Sequence, residues 1–439
     1  MSKSPLRQAV SGKMLFVFIL GDVLGAGIYA LVGEIAGEVG GAIWLPMLVA
    51  LLMALLTAAS YAELVTKYPR AGGAAVFAQR AYGRPLVSFL VGFSMLAAGV
   101  TSAAGLALAF SGDYLGVFLD VPAVPAAVVF LLLVGLLNAR GITESLRANL
   151  AMTIVEVSGL VLIVALAGLV LSRGDGTPSR VLEFTDETTP TLAVLGAALL
   201  AFYSFVGFET SANIAEEVED VRRVYPRALL GAVTAAGVVY VLVGLAVSTV
   251  VPADTLAQSS GPLLEVVAAA DAGIPPWVFG LVALIAVANG ALLTMIMASR
   301  LTFGMARDGL LPGALAKVLP GRKTPWAAIV ATTVVAMVLC STGSVAALAE
   351  TVVLLLLFVF ISTNVAVLVL RSDRADSGHF RTPTALPVLA LITCAVLLTQ
   401  QSAATWLRAG LLLAVGVALY FVGNLLTSKT DPDQRSAVS

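Results

Sequence analysis

Apolar residues along the chain gather in blocks of about twenty, separated by short polar stretches. One such block crosses the hydrocarbon core of a bilayer, about 30 Å thick, as a single α-helix. The short alternating segments of a membrane β-barrel are absent, and lipid offers a lone backbone no hydrogen-bond partner. The pattern therefore predicts an all-α integral membrane protein of twelve transmembrane helices. They are expected at Met14–Ala36, Ile43–Val65, Leu86–Phe110, Val121–Leu137, Leu150–Leu171 and Leu192–Ile214. The remaining six fall at Pro226–Val251, Pro276–Met305, Trp326–Cys340, Thr351–Leu370, Ala385–Thr399 and Ala403–Leu426.

Lysine and arginine placement orients such a bundle. With both termini in the cytoplasm, 22 of the 25 lysines and arginines lie on that side, leaving Arg173, Arg180 and Arg408 outside. A missed or invented span would scramble that split. The expectation is a multi-pass protein of the plasma (inner) membrane, with one transmembrane domain over 1–427. Residues 428–439 read as a disordered cytoplasmic tail. The opening MSKSPLRQAVSGK shows no small-residue cleavage site, so no removable signal peptide is read. The outer connection Ser172–Pro190 leaves room for little more than a turn.

Composition agrees: 59% hydrophobic residues, 12% charged and a mean hydropathy of +1.00, against roughly a quarter charged in soluble domains. A net charge of −1 gives no reason to expect a nucleic-acid partner. Cys340 and Cys394 fall inside apolar spans and read as small buried hydrophobes, not a disulfide or metal site. The one histidine, His379, belongs to a cytoplasmic loop, which excludes an intramembrane histidine relay. No Gly-rich phosphate loop with a lysine is present, and no nucleophile–base or metal cluster suggests an enzyme or calls for a cofactor.

Two spans carry interruptions. The first contains Gly21-Asp22-Val23-Leu24-Gly25-Ala26-Gly27-Ile28-Tyr29, and the sixth contains Ser204-Phe205-Val206-Gly207-Phe208-Glu209. Glycine alone also suits close helix packing. Paired interruptions in corresponding helices of two halves point instead to a midplane binding site. Spans one to five and six to ten form the halves, 14–171 and 192–370, with 385–426 as two added helices. Five being odd, the second half enters from the opposite side, an inverted repeat. Half-helix N-termini present free N–H groups to an anion, and freed carbonyls accept from a cation. An amino acid carries both charges on one carbon.

Taken with further motifs, the sequence resembles the amino acid–polyamine–organocation superfamily, and within it the cationic amino acid transporter branch and its bacterial relatives. The residues that carry the likeness are LGAGIYALVGEIAG (Leu24–Gly37), YAELVTKYPRAGGAAVFAQRAYG (Tyr61–Gly83) and GITESLRAN (Gly141–Asn149). FYSFVGFETSANIAEEV (Phe202–Val218), YPRAL (Tyr225–Leu229) and SRLTFGMARDGLLP (Ser299–Pro312) complete it. The resemblance implies a five-plus-five inverted repeat working by alternating access as a secondary transporter, symporter or antiporter. It implies that Ala26, Gly27 and Ile28, beside Gly25, hold the substrate carboxylate. Phe202, Tyr203, Ser204 and Phe205, beside Gly207, would receive the α-amine, with Tyr203 as an aromatic gate. The expected substrate is an amino acid, cationic or small neutral, or a related amine, with a proton as coupling ion.

Charges within the hydrocarbon are costly, about 2.5–3.5 kcal/mol on insertion scales. Glu63 and Arg300, near the cytoplasmic ends of their spans, read as interface residues. Glu209 either caps backbone amides or belongs to a pH-sensitive gate. Asp22 has no partner legible in sequence. Bacterial proton-coupled relatives often carry a lysine where this chain has Glu156, a departure that puts the lysine mechanism in doubt. Three readings stay open for Glu156: proton carrier, binder of a substrate or ion cation, or hydrogen-bonded structural residue.

Overall fold

The computed structural model describes residues 10–25, 27–70, 72–140, 145–186, 188–319, 324–373 and 378–430. Ala26, residues 141–144 of the Gly141–Asn149 motif and the expected tail from 431 onward lie outside them. Among the described residues the structure is helical, with one isolated bridge between Val10 and Val218.

The helices are α1 (Gly12–Val23), α2 (Gly27–Val39), α3 (Trp44–Lys67), α4 (Gly73–Tyr82), α5 (Pro85–Phe110), α6 (Asp113–Gly116), α7 (Ala123–Arg140) and α8 (Ser145–Arg173). After a 3₁₀ turn at Pro178–Leu182 come α9 (Pro190–Tyr203), a 3₁₀ helix at Phe208–Glu217, and α10 (Val221–Val250). The rest are α11 (Ala253–Gln258), α12 (Pro262–Ala270), α13 (Pro276–Arg307), α14 (Trp326–Cys340), α15 (Val345–Val369), α16 (Ala385–Thr399) and α17 (Ala403–Thr430). Among the described residues nine helical spans are long and apolar enough to cross a membrane, and the bent pair α1–α2 makes a tenth. α14 and α16 are apolar but only 15 residues long.

Outward faces carry the apolar residues an aqueous surface would reject. Leu133, Leu136, Ile154, Leu407 and Leu411 are each more than half exposed, as expected where lipid is the solvent. Inside, polar pairs tie helices together: Ser60 donates to Asn364 Oδ1 at 2.6 Å and Asn138 to Ser299 Oγ at 3.1 Å, the short interhelical bonds that hydrocarbon favours. This is a multi-pass membrane protein.

Several boundaries differ from the sequence expectation. The second half of the sixth span is 3₁₀ rather than α, from Phe208 to Glu217. α10 starts at Val221, so Pro226 sits in its second turn instead of opening it; proline's preference for the first turn misplaces that start. α15 begins at Val345, where the Ser344 hydroxyl accepts from the Ala347 amide at 3.2 Å. α11 and α12 fill a connection expected to be loop. α17 continues through Thr430, so residues 428–430 are helix, not tail.

The core packing brings α9 onto α2 and α3, α10 onto α1 and α3, and α8 onto α1, α10 and α13. Both interrupted spans therefore lie at the centre.

Candidate functional site around two facing helix breaks

The first break follows Val23. The Leu24 amide still donates to the Leu20 carbonyl at 2.7 Å, after which the chain leaves the helix and resumes as α2, bent by 41°. The second follows Tyr203, where residues 204–207 make a turn before the 3₁₀ helix. Gly207 has φ +127°, a conformation that side chains disfavour.

A helix break strands backbone carbonyls, and buried carbonyls need donors. Tyr240 of α10 reaches the carbonyls at both places with its one hydroxyl proton. Its hydroxyl donates to the Val23 carbonyl and lies 3.0 Å from the Ser204 carbonyl. Its ring stands edge-on to Phe205, centroids 5.2 Å apart. One buried phenol thus joins the two breaks.

The breaks also touch directly. A Cβ on Gly27 would lie 2.7 Å from the Ser204 Cα, and one on Gly207 would lie 2.9 Å from the Asp22 carbonyl oxygen. The Asp22 carboxylate accepts from the Thr210 hydroxyl, joining the end of α1 to the 3₁₀ segment. Glu209 is buried and accepts the Gly207 amide on Oε2 at 3.0 Å, so it caps the second break, one of its two sequence readings. Ser204 Oγ is buried with no hydrogen-bond partner among the described residues.

Beside the breaks stands Glu156 of α8, fully buried. Its Oε1 accepts from Asn289 of α13 at 2.9 Å, while Oε2 has no partner among the described residues. Thr153, one turn earlier, lies against Gly21 of α1. Tyr29 of α2 donates to the Glu156 carbonyl at 2.7 Å, and Tyr114 donates to the Tyr29 carbonyl at 2.8 Å.

The remaining sequence candidates cluster here. Gly25, Gly27 and Ile28 are buried at the first break, and Ala26 lies outside the described residues. Phe202 packs edge-on against Phe360, centroids 5.9 Å apart. The Tyr203 hydroxyl pairs with the Ser102 hydroxyl at 2.8 Å. Below, Tyr61, Phe208 and Phe360 form an aromatic layer, with Tyr61–Phe208 at 5.8 Å and Phe208–Phe360 at 5.5 Å. Tyr240, Thr210, Asn289 and Ser102 escaped the sequence reading, since the partner of each lies far along the chain.

Asp22, Glu156 and Glu209 share this region, yet the one buried lysine or arginine among the described residues is Lys67, which donates to the Leu370 carbonyl at a helix end. Glu63, read as an interface residue, is instead buried. Its Oε2 accepts the Thr382 amide at 2.8 Å and pairs with Arg371 at 3.4 Å, because the loop before α16 folds over it. Arg300 is exposed, about two turns before the end of α13 at Arg307. No group of three His, Cys, Asp or Glu side chains among the described residues could hold a metal.

Comparison with known proteins gives this arrangement a context. The family model described as "Amino acid permease" matches residues 11–427. The chain is 28% identical to the branched-chain amino acid permease BcaP of Bacillus subtilis, over 97% of this chain and 94% of that protein. It is 27% identical to the methylthioribose transporter of the same organism, over 96% and 94% of the two chains. It is 29% identical to the vacuolar cationic amino acid transporter 4 of Arabidopsis thaliana, over 83% of this chain and 64% of that protein.

Proposed function

Because the chain belongs to the amino acid permease family, we propose that it is a secondary active transporter moving a cationic or small neutral amino acid across the plasma membrane by alternating access. We read its membrane domain as twelve spans in a five-plus-five inverted repeat with two added helices, both termini in the cytoplasm. The observation that carries the reading is the contact between the two breaks, Gly27 against Ser204, with the Tyr240 hydroxyl within hydrogen-bond distance of a carbonyl at each.

The physics of recognition follows from main chain. The first amides of α2, at Gly27 and Ile28, have no intrahelical acceptor, and the positive end of the helix dipole adds to their pull on a carboxylate. At the second break the Phe202 and Tyr203 carbonyls accept turn amides at 3.0 Å and the Ser204 carbonyl faces Tyr240. Each carbonyl of residues 202–205 has two lone pairs, and the one left over accepts from the α-ammonium. Tyr203, held by Ser102, closes over the substrate as the gate. Asp22–Thr210 and the Tyr61–Phe208–Phe360 layer seal the side below, and parting them opens the site toward that side.

Glu156 is the proposed proton carrier. Its Oε1 is fixed by Asn289 and its Oε2 is unpartnered among the described residues, so it can bind and release a proton without dismantling a network. A second reading, a carrier of amines lacking a carboxylate, draws on the same three acidic residues and the lack of a buried cation near them among the described residues. Uptake into proteoliposomes separates the two. Saturable, pH-dependent uptake of an amino acid, competed by other amino acids and not by polyamines, is expected. Uptake of polyamine alone would favour the second reading, and binding without flux would make the protein a sensor.

A further inference from the structure

We propose that the head of α10 and the loop before α16 form a binding site for the headgroup of an anionic phospholipid. A cavity of about 730 Å³ opens there between Arg222, Arg223 and Arg227 on one wall and Gly378, His379 and Phe380 on the other. That volume lies within the roughly 300–1,000 Å³ of small-molecule sites.

Three guanidinium groups face one carboxylate, Asp220, on the lining. Arg223 and Arg227 are both exposed, four residues apart on one helix face, where like charges repel. Among the described residues neither forms an ion pair. They also stand at the positive end of a 30-residue helix, which adds attraction for an anion. A phosphate placed between them relieves the repulsion. His379 also lines the cavity, and Arg222 reaches the same loop, its Nη1 3.9 Å from a Cβ built on Gly378.

The apolar part identifies the source of the phosphate. Leu230 and Phe380 line the cavity. Beyond Leu230 the same face of α10 continues through Thr234, Val238 and Leu242, at the three- and four-residue steps that keep a helix face. Val238 is 50% and Leu242 44% exposed. A free phosphate ion has no use for this strip. A phospholipid lays its acyl chain along it while arginines hold the phosphodiester, the arrangement expected of a basic cluster at a membrane surface.

The purified full-length protein in uncharged detergent, titrated with phosphatidylglycerol, phosphatidylcholine or inorganic phosphate, provides the test through its Tm. Phosphatidylglycerol is expected to raise Tm saturably while the other two do not. Arg223→Gln with Arg227→Gln should weaken the apparent affinity about thirtyfold, and Arg307→Gln, at another exposed site, should leave it unchanged. Equal shifts with phosphatidylcholine, equal shifts with inorganic phosphate, or full retention in the double variant would overturn the proposal. Should the double variant fail to fold, displacement of a fluorescent phosphatidylglycerol from the wild-type protein decides. Displacement by unlabelled phosphatidylglycerol alone supports the site, and equal displacement by phosphatidylcholine refutes it.

Discussion

Gly27 approaches Ser204 so closely that a Cβ on the glycine would stand 2.7 Å from the serine Cα. The obstacle is main chain, which cannot swing aside as a long side chain does. Gly27→Ala is therefore expected to cost about 1–3 kcal/mol, as overpacking does, and to abolish saturable uptake by pushing the breaks apart. Gly25→Ala, whose new Cβ would meet its nearest atom at 3.4 Å, should retain far more. Initial rates in proteoliposomes compare the two. A Gly27→Ala protein with wild-type rates would show that the contact is packing alone.

Tyr240→Phe removes the donor to the Val23 carbonyl and leaves a buried acceptor unsatisfied. The expected loss is about 1–3 kcal/mol, seen as a lower Tm together with slower uptake. Tyr203→Phe loses only the pairing with Ser102, whose hydroxyl can turn to its own helix, so its Tm should change less. The ratio of the two Tm shifts checks the claim that Tyr240 is the tie between the breaks.

Glu156→Gln keeps an oxygen for Asn289 but can no longer exchange a proton. The variant should fold with a near-native Tm and transport with little pH dependence. Uptake that keeps the full pH profile of the wild type would remove Glu156 from the coupling mechanism and leave it a hydrogen-bonding residue.

Arg371→Ala strips Glu63 of its cation, although the Thr382 amide remains. An uncompensated buried charge costs about 3–5 kcal/mol, so a large fall in Tm is expected. Glu63→Gln introduced into the same variant should restore most of it. Thermal unfolding of the single and double variants measures the coupling.

The helical class was legible because lipid imposes one rule on every span: apolar side chains outside, backbone satisfied within. Gly27 and Gly207 marked the two interruptions because a Cβ at either would run into main chain of the opposite break. What escaped depends on partners distant in sequence. Tyr240 stands 217 residues from Val23, and nothing local distinguishes it from an aromatic facing lipid. Glu63 looked like a residue at the water interface because its cover, Arg371 and Thr382, comes from the far end of the chain. The 3₁₀ form of Phe208–Glu217 was equally hidden, since the helices it packs against, α1, α3 and α4 among them, come from far along the chain. Pro226 misled because its local preference for a first turn yielded to the longer helix around it.

A structure determined with the transported amino acid bound tests the central claim most directly. The account predicts the substrate carboxylate on the amides of Gly27 and Ile28 and its ammonium within hydrogen-bond distance of the carbonyls of residues 202–205. Substrate lodged elsewhere, or α1 and α2 fused into one straight helix around it, would contradict it.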